Sequence, residues 1–176
     1  MMEKNLKTYY RFRLAKCTDI SQIWDLLQMA ILRRKQDGSN QWQDGYPNIE
    51  VIKDDIQKKY GYVLTLKEEI VGYCALLIND EPEYLNIEGK WLTNNDFIVF
   101  HRLAISEKFL NKGLAKKMVS FIEQFAISKN IFSVKADTNH DNTPMLKLFK
   151  TLEYSFCGTV YIRKSPRRAF EKLLVK

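Results

Sequence analysis

The stretch FLNKGLAKKM, Phe109 to Met118, sets one glycine among three lysines at the point where an apolar run gives way to a helical pattern. Just upstream, FIVFHRLAI (Phe97 to Ile105) is apolar on both faces apart from His101 and Arg102, as a central strand should be. Downstream, Leu114, Met118, Ile122 and Phe125 line one face of an amphipathic helix that runs to about Lys129. A central strand that passes through a loop into a helix leaves the first N–H groups of that helix unpaired, with the positive end of the helix dipole behind them. Such a helix start binds anions, phosphates above all. Gly113 lets the backbone curl closely around a ligand, and Lys112, Lys116 and Lys117 add positive field. Taken alone, the same residues also describe a turn glycine beside a solvated lysine face.

Outward from this segment, the chain reads as an α/β domain on a mixed sheet. YYRFRLA alternates like an edge strand, and Asp19 is placed to cap a helix carrying Ile23, Leu26, Leu27, Ala30 and Ile31 at the helical period. The loop QDGSNQWQDGYPNIE follows, then a short helix around IEVIKDDIQKKY. GYVLTLKEEIVGYCALLI reads as a hairpin turning at Lys67 to Glu69, whereas NDEPEYLNIEGKWLTNND shows no regular pattern. Beyond the helix from Gly113, IFSVKAD is a strand and NTPMLKLFKTLEY a helix with Asn142 or Thr143 at its cap and Pro144 in its first turn. SFCGTVYI and RAFEKLLV close the chain as two more strands.

The 176 residues fit one domain over 1–176, with 45% hydrophobic and 28% charged residues and no repeat. No stretch reaches the roughly 18 apolar residues of a membrane span, and the opening residues lack the apolar core of a secretion signal, so a cytoplasmic protein is expected. Cys17, Cys74 and Cys157 have no CxxC spacing and read as buried reduced thiols. The formal charge of +7 suits an anionic partner. Neither ILRRK nor RKSPRR interleaves aromatic residues for base stacking, so nucleic acid is not expected, and no membrane partner is expected either. GxxxxGK[ST], GxGxxG, HExxH and GxSxG are all absent. DTNHDN fails as a calcium loop, because Asn142 stands where the loop needs glycine and Leu148 where it needs a bidentate Glu. No metal is expected.

What remains is a strand, a loop of form x-x-x-G-x-A, and a helix, and here RLAISEKFLNKGLAKKM resembles the GNAT superfamily of acyl-CoA N-acyltransferases. Their signature [RQ]-x-x-G-x-[GA] falls on Leu110, Asn111, Lys112, Gly113, Leu114 and Ala115, with Leu110 in place of Arg or Gln. TNHDNTPMLKLFKTLEYSFCG is similar to the second signature: Asn142 matches the asparagine that contacts the coenzyme, and Met145 the apolar position after it. Phe149 stands where many members carry a tyrosine that protonates the leaving thiolate, and Glu153 and Tyr154 replace Gly and Phe.

The resemblance implies a GNAT fold, a mostly antiparallel mixed sheet of about six to seven strands flanked by about four helices. It implies acetyl-CoA as cosubstrate, held by Leu103, Ala104 and Ile105 of the strand, by the loop from Leu110 to Ala115, and by Asn142. The activity implied is N-acetylation by direct transfer in a ternary complex, with the backbone N–H of Leu103 holding the oxyanion. A non-catalytic acyl-CoA-binding regulator on the same fold is the alternative, favoured by Phe149. The acceptor expected is a small-molecule amine or a protein amine, and a homodimer is admitted.

His101 is either a satisfied core histidine or a base facing the cleft. Some members carry a histidine at the matching place that takes the amine proton, and a free imidazole, titrating at about pH 6.5, suits that work at neutral pH. In the loop NQWQDGYP, Trp42 and Tyr46 are candidates for holding a cationic amine by their ring faces, with Asp37 or Asp44 adding attraction. An ordinary loop whose aromatics pack onto the core fits the same residues.

Overall fold

Alternation along the strands sorts the apolar residues into two cores, one on each face of a single sheet. The computed structural model describes residues 9–175. Its strands are β1 (Tyr10–Leu14), β2 (Gly61–Leu66), β3 (Glu69–Ile78), β4 (Glu88–Gly89), β5 (Ile98–Ile105), β6 (Ser133–Thr138), β7 (Ser155–Ile162) and β8 (Ser165–Leu173). The helices are α1 (Ile20–Gln36), α2 (Ile49–Gln57), α3 (Leu114–Ser128) and α4 (Thr143–Thr151). Across the sheet the order is β1-β2-β3-β5-β6-β8-β7-β4, and among the described residues β5 with β6 is the one parallel pair. Val63, Tyr73 and Ala104 pack under Ile23 and Leu27 of α1 and Ile52 of α2. Their chain neighbours Leu64, Cys74 and Ile105 turn the other way, beneath Met118 and Ile122 of α3 and Phe149 of α4.

The sheet has eight strands, not six to seven. The additional one is β4, two residues long, in the segment that shows no regular pattern in the sequence. It pairs through Gly89 against Gly158, where a Cβ on either glycine would lie 2.2 Å from a carbonyl oxygen of the opposite strand, so only two bare backbones approach this closely. Two residues carry no alternation to read. The rest of this segment covers half of the α1–α2 face: Tyr84 packs on Val99, Val160 and Ala169. Fully buried Glu171 accepts from the Ser133 hydroxyl at 2.6 Å and from the Leu92 N–H at 2.6 Å.

Two of the four helices described start on a side-chain cap. Asn48 caps α2, accepting from the N–H groups of Glu50 and Val51, and Asn142 caps α4, accepting from that of Met145. Asp19 precedes α1 without capping it, because its carboxylate takes the Arg13 guanidinium at 2.7 and 3.0 Å and the Lys16 N–H at 2.7 Å. Cys74 and Cys157 are buried free thiols, while Cys17 is an exposed one. Among the described residues no helix is long and apolar enough to cross a membrane.

The site depends on an irregularity in β5. Between the pairs Tyr73↔Ala104 and Ala75↔His101 the register shifts, so that Arg102 and Leu103 together oppose Cys74. Arg102 sits at φ 56, a conformation uncommon outside glycine, and the inserted residue reverses the inward-outward parity. His101 and Arg102 therefore both point to the α1–α2 face. There Arg102 makes a bidentate pair with Asp55 of α2, at 2.6 and 3.0 Å, and Asp55 also accepts from the Tyr73 hydroxyl at 2.5 Å. Pairing of β5 with β6 stops at Val99, before the bulge, and the two strands part.

Asp55 is 3% exposed and Arg102 is held against it, so removing the carboxylate strands a buried charge. Asp55→Ala should cost about 3–5 kcal/mol in urea denaturation. A loss under about 1 kcal/mol would show that the bulge is held by something else.

Candidate functional site

Where β5 and β6 part, two cavities open and meet. The first encloses about 70 Å³ on the α1–α2 face, between His101 and Arg102 of β5, Asp137 of β6, and Arg163 and Arg167 of the β7–β8 end. The second, about 300 Å³, runs along Ala104 and Ile105 to Leu110, Asn111 and Ala115, with Arg33 and Arg34 of α1 on its other side. Trp42, Leu103, Asn142 and Met145 line both.

The larger cavity ends at the start of α3. Gly113 is its N-cap at φ 73, Asn111 before it lies at φ 58, and no side chain caps the helix. The N–H groups of its first turn thus point outward without intrahelical partners. A Cβ built on Gly113 meets nothing within 4 Å, so glycine is required here by its positive φ and not by crowding within the protein. Lys112 and Lys117 lean over the rings of Phe109 and Tyr10, at 4.9 and 5.2 Å, leaving their charge close to the loop. Lys112, Gly113 and Leu114 do not themselves line the cavity, and Leu114 is buried beneath the helix.

Asn142 ties the two cavities together. Its Oδ1 accepts from Arg34 Nη1 at 2.6 Å while capping α4, and its Nδ2 donates to Gln41 Oε1 at 2.8 Å. Arg34 also pairs with Asp37 at 2.7 Å, and Arg33 with Glu107 at 2.7 Å. Burial lowers the Arg34 pKa, and its Coulombic attraction to Asp37 opposes that shift without cancelling it. Neither arginine stands out in the sequence as a site residue. The signal was there for Arg34: it lies seven positions after Leu27 and continues the buried stripe of α1.

His101 is neither a plain core residue nor a free one. Its Nε2 lies 2.5 Å from Glu81 Oε2 and its Nδ1 3.7 Å from Asp137 Oδ1, which accepts from the Tyr84 hydroxyl at 2.7 Å. Burial pushes the Glu81 carboxyl up, but the hydrogen bond and charge of His101 outweigh it and hold Glu81 below the usual carboxylate range. Trp42, at φ 66, lines both cavities. One face of the Tyr46 ring is covered by Arg163, whose Cζ is 3.7 Å from its centroid, and its hydroxyl accepts from Arg102. Asp44 pairs with Arg163 at 3.3 Å. Phe149 is fully buried, stacked on Phe170 at 4.6 Å, outside both cavities. Among the described residues no group of His, Cys, Asp and Glu is placed to hold a metal ion.

The profile of the Acetyltransferase (GNAT) family matches residues 24–154. A GNAT-family acetyltransferase from Streptococcus agalactiae 2603 is 34% identical, with a TM-score of 0.86 over 97% of this chain and 100% of that one. One from Listeria monocytogenes 4b F2365 shares the fold at 20% identity, with a TM-score of 0.73 over 94% of this chain and 95% of that one. The ribosomal-protein-S18-alanine N-acetyltransferase of Escherichia coli shares it at 9% identity, with a TM-score of 0.63 over 94% and 93%. No curated protein sequence matches the chain.

A carboxyl held below its usual range adds stability above its unfolded pKa, and that stability is lost as pH falls through the folded value. The advantage of the wild type over Glu81→Gln should therefore be full near neutral pH and shrink as the solution is acidified below about pH 4.3. Urea midpoints measured across that range check it. An advantage that stays constant with pH would mean that Glu81 acts by packing alone.

Proposed function

Because the chain belongs to the GNAT acetyltransferase family, we propose that it transfers an acetyl group from acetyl-CoA to a primary amine by direct attack in a ternary complex. The observation that carries this reading is the meeting of the two cavities at Leu103: one leads to the uncapped start of α3, the other holds His101. In this assignment the N–H groups of the loop from Leu110 to Ala115 receive the coenzyme pyrophosphate, where outward donors and the helix dipole favour it. The pantetheine arm lies along Leu103, Ala104 and Ile105, whose edge β6 has left, with Asn142 beside it. Arg33 and Arg34 join the positive field of the lysines.

Chemistry then falls at the bulge. The amine nitrogen forms its bond to the thioester carbon as the oxygen takes the charge, stabilised by the backbone N–H of Leu103. Collapse breaks the C–S bond and expels thiolate. His101 takes the amine proton: its Nε2–H donates to Glu81, which leaves the lone pair of Nδ1 free in the neutral ring. Free thiol has a pKa of about 8.5, so the thiolate is a tolerable leaving group without the tyrosine that Phe149 replaces. A non-catalytic acyl-CoA-binding protein is the second reading, favoured by Phe149, and release of free thiol with a panel of amines separates the two.

Acetyl-CoA should raise the melting temperature, by mass action on the folded state, while ATP and NAD at equal concentration do not. Gly113→Val should lose that shift yet remain folded, at a cost of about 1–2 kcal/mol for a side chain at positive φ. Equal shifts from all three ligands would mark a generic anion site.

His101→Ala should lower turnover at neutral pH by about 10²-fold or more. The deficit should narrow as pH rises, since more of the amine then arrives deprotonated, and acetyl-CoA affinity should hardly change. Wild-type turnover in the variant across that range would remove His101 from the chemistry.

A further inference from the structure

Arg167, on β8, is 6% exposed, and no carboxylate or other acceptor among the described residues bonds its guanidinium. Among the described residues its Nε is one of two buried side-chain nitrogen or oxygen atoms without a partner, the other being Asn139 Oδ1. The other arginines around the cavities are all matched: Arg102 with Asp55, Arg163 with Asp44, Arg34 with Asp37 and Asn142. The carboxylates that reach Arg167 by charge are engaged elsewhere. Asp137 takes the Tyr84 hydroxyl and faces His101, and Asp141 takes the Ser39 hydroxyl and the Asn40 N–H. A buried guanidinium with no carboxylate hydrogen-bonded to it is costly, and its planar fork fits one.

We propose that Arg167 binds a carboxylate of the acceptor, which makes the substrate class small amino acids, with the amine directed to His101, which lines the same cavity. This rests on the acetyl-transfer reading above. The cavity wall carries both signs of charge: Asp137 and His101, the latter tied to Glu81 behind it, favour an ammonium, while Arg167 and Arg163 favour an anion. A monoanion balances one unmatched guanidinium. A phosphate dianion would leave surplus negative charge in a space shared with Asp137. The volume of about 70 Å³ holds roughly five waters, the scale of a small zwitterion. The carboxylate takes no part in the reaction: the ammonium and acetyl-CoA give the N-acetyl amino acid, free thiol and one proton.

The test compares α- and ω-amino acids, each beside its amide and its decarboxylated amine, by thiol release from acetyl-CoA. The wild type should favour the amino acids in kcat/KM by about 10-fold to 10²-fold, the worth of hydrogen bonds to a charged group. Arg167→Met should erase the preference mainly through KM, leave acetyl-CoA affinity unchanged, and melt no lower than wild type in the absence of substrate, since an unpaired buried charge has been removed. Equal wild-type rates on acids and amides would overturn the proposal while leaving acetyl transfer standing. So would a variant that keeps the preference, or one that loses acetyl-CoA affinity instead. Should no amine be turned over, a melting shift by N-acetyl amino acids with coenzyme A, present in the wild type and absent in Arg167→Met, still supports the carboxylate site. No shift in either overturns it.

Discussion

The bidentate pair between Arg102 and Asp55 is the constraint on which the rest of the site depends. A strand cannot point two successive side chains to one face, and β5 does so because Arg102 takes a left-handed backbone conformation that an alternating strand forbids. The cost of that conformation and of burying a guanidinium is offset by Asp55, which is itself fixed by the Tyr73 hydroxyl. From this follow three things at once. Arg102 joins His101 on the α1–α2 face, Leu103 is shifted to the junction of the two cavities, and β5 leaves β6 after Val99. A regular strand here would close the sheet and leave no opening between its two parallel members.

The basic character of the chain divides into different jobs once the residues are placed. The lysines around Gly113 stay near the surface, leaning on Phe109 and Tyr10, and contribute field without fixed geometry. The arginines are the fixed elements. Arg34 is buried and built into the cap of α4 through Asn142, so one hydrogen bond ties the wall of the larger cavity to the start of α4. A guanidinium serves there because its several donors satisfy Asn142 and Asp37 together, which a single ammonium does less rigidly.

Much of this was legible in the sequence and some was not, for reasons that can be named. The strand from Phe97 to Ile105, the glycine, and the helix beyond it follow from periodicity and turn chemistry, and the order of strands and helices was read correctly apart from β4. The adjacent polar pair His101 and Arg102 was also visible, and within a strand apolar on both faces it marks a parity break that signals a bulge. What pairs with them was not visible. Asp55 lies 47 positions from Arg102 and Glu81 lies 20 from His101, in a segment without a pattern, so only the closed fold brings them together. β4 escaped because two glycines held by backbone approach leave no side-chain pattern.

Phe149 shows how core packing bears on the chemistry. Its ring stacks on Phe170 and lies 5.4 Å from Tyr154 and 6.2 Å from Phe100, in a nest of rings. The one hydroxyl there, that of Tyr154, is raised well above its ordinary pKa by burial and already points to Glu123 at 3.2 Å. A tyrosine at 149 in this packing would bury a phenol with nothing to bond, a penalty of about 1–3 kcal/mol. The phenylalanine is thus what this core favours, and in the proposed reaction any proton for the departing thiolate comes from outside it. In that reaction the demand is mild, because a thiolate is stable enough to leave unprotonated. On the proposed reading, catalysis then rests on deprotonating the amine and holding the oxyanion, the two tasks assigned to His101 and the Leu103 N–H on either side of the bulge of β5.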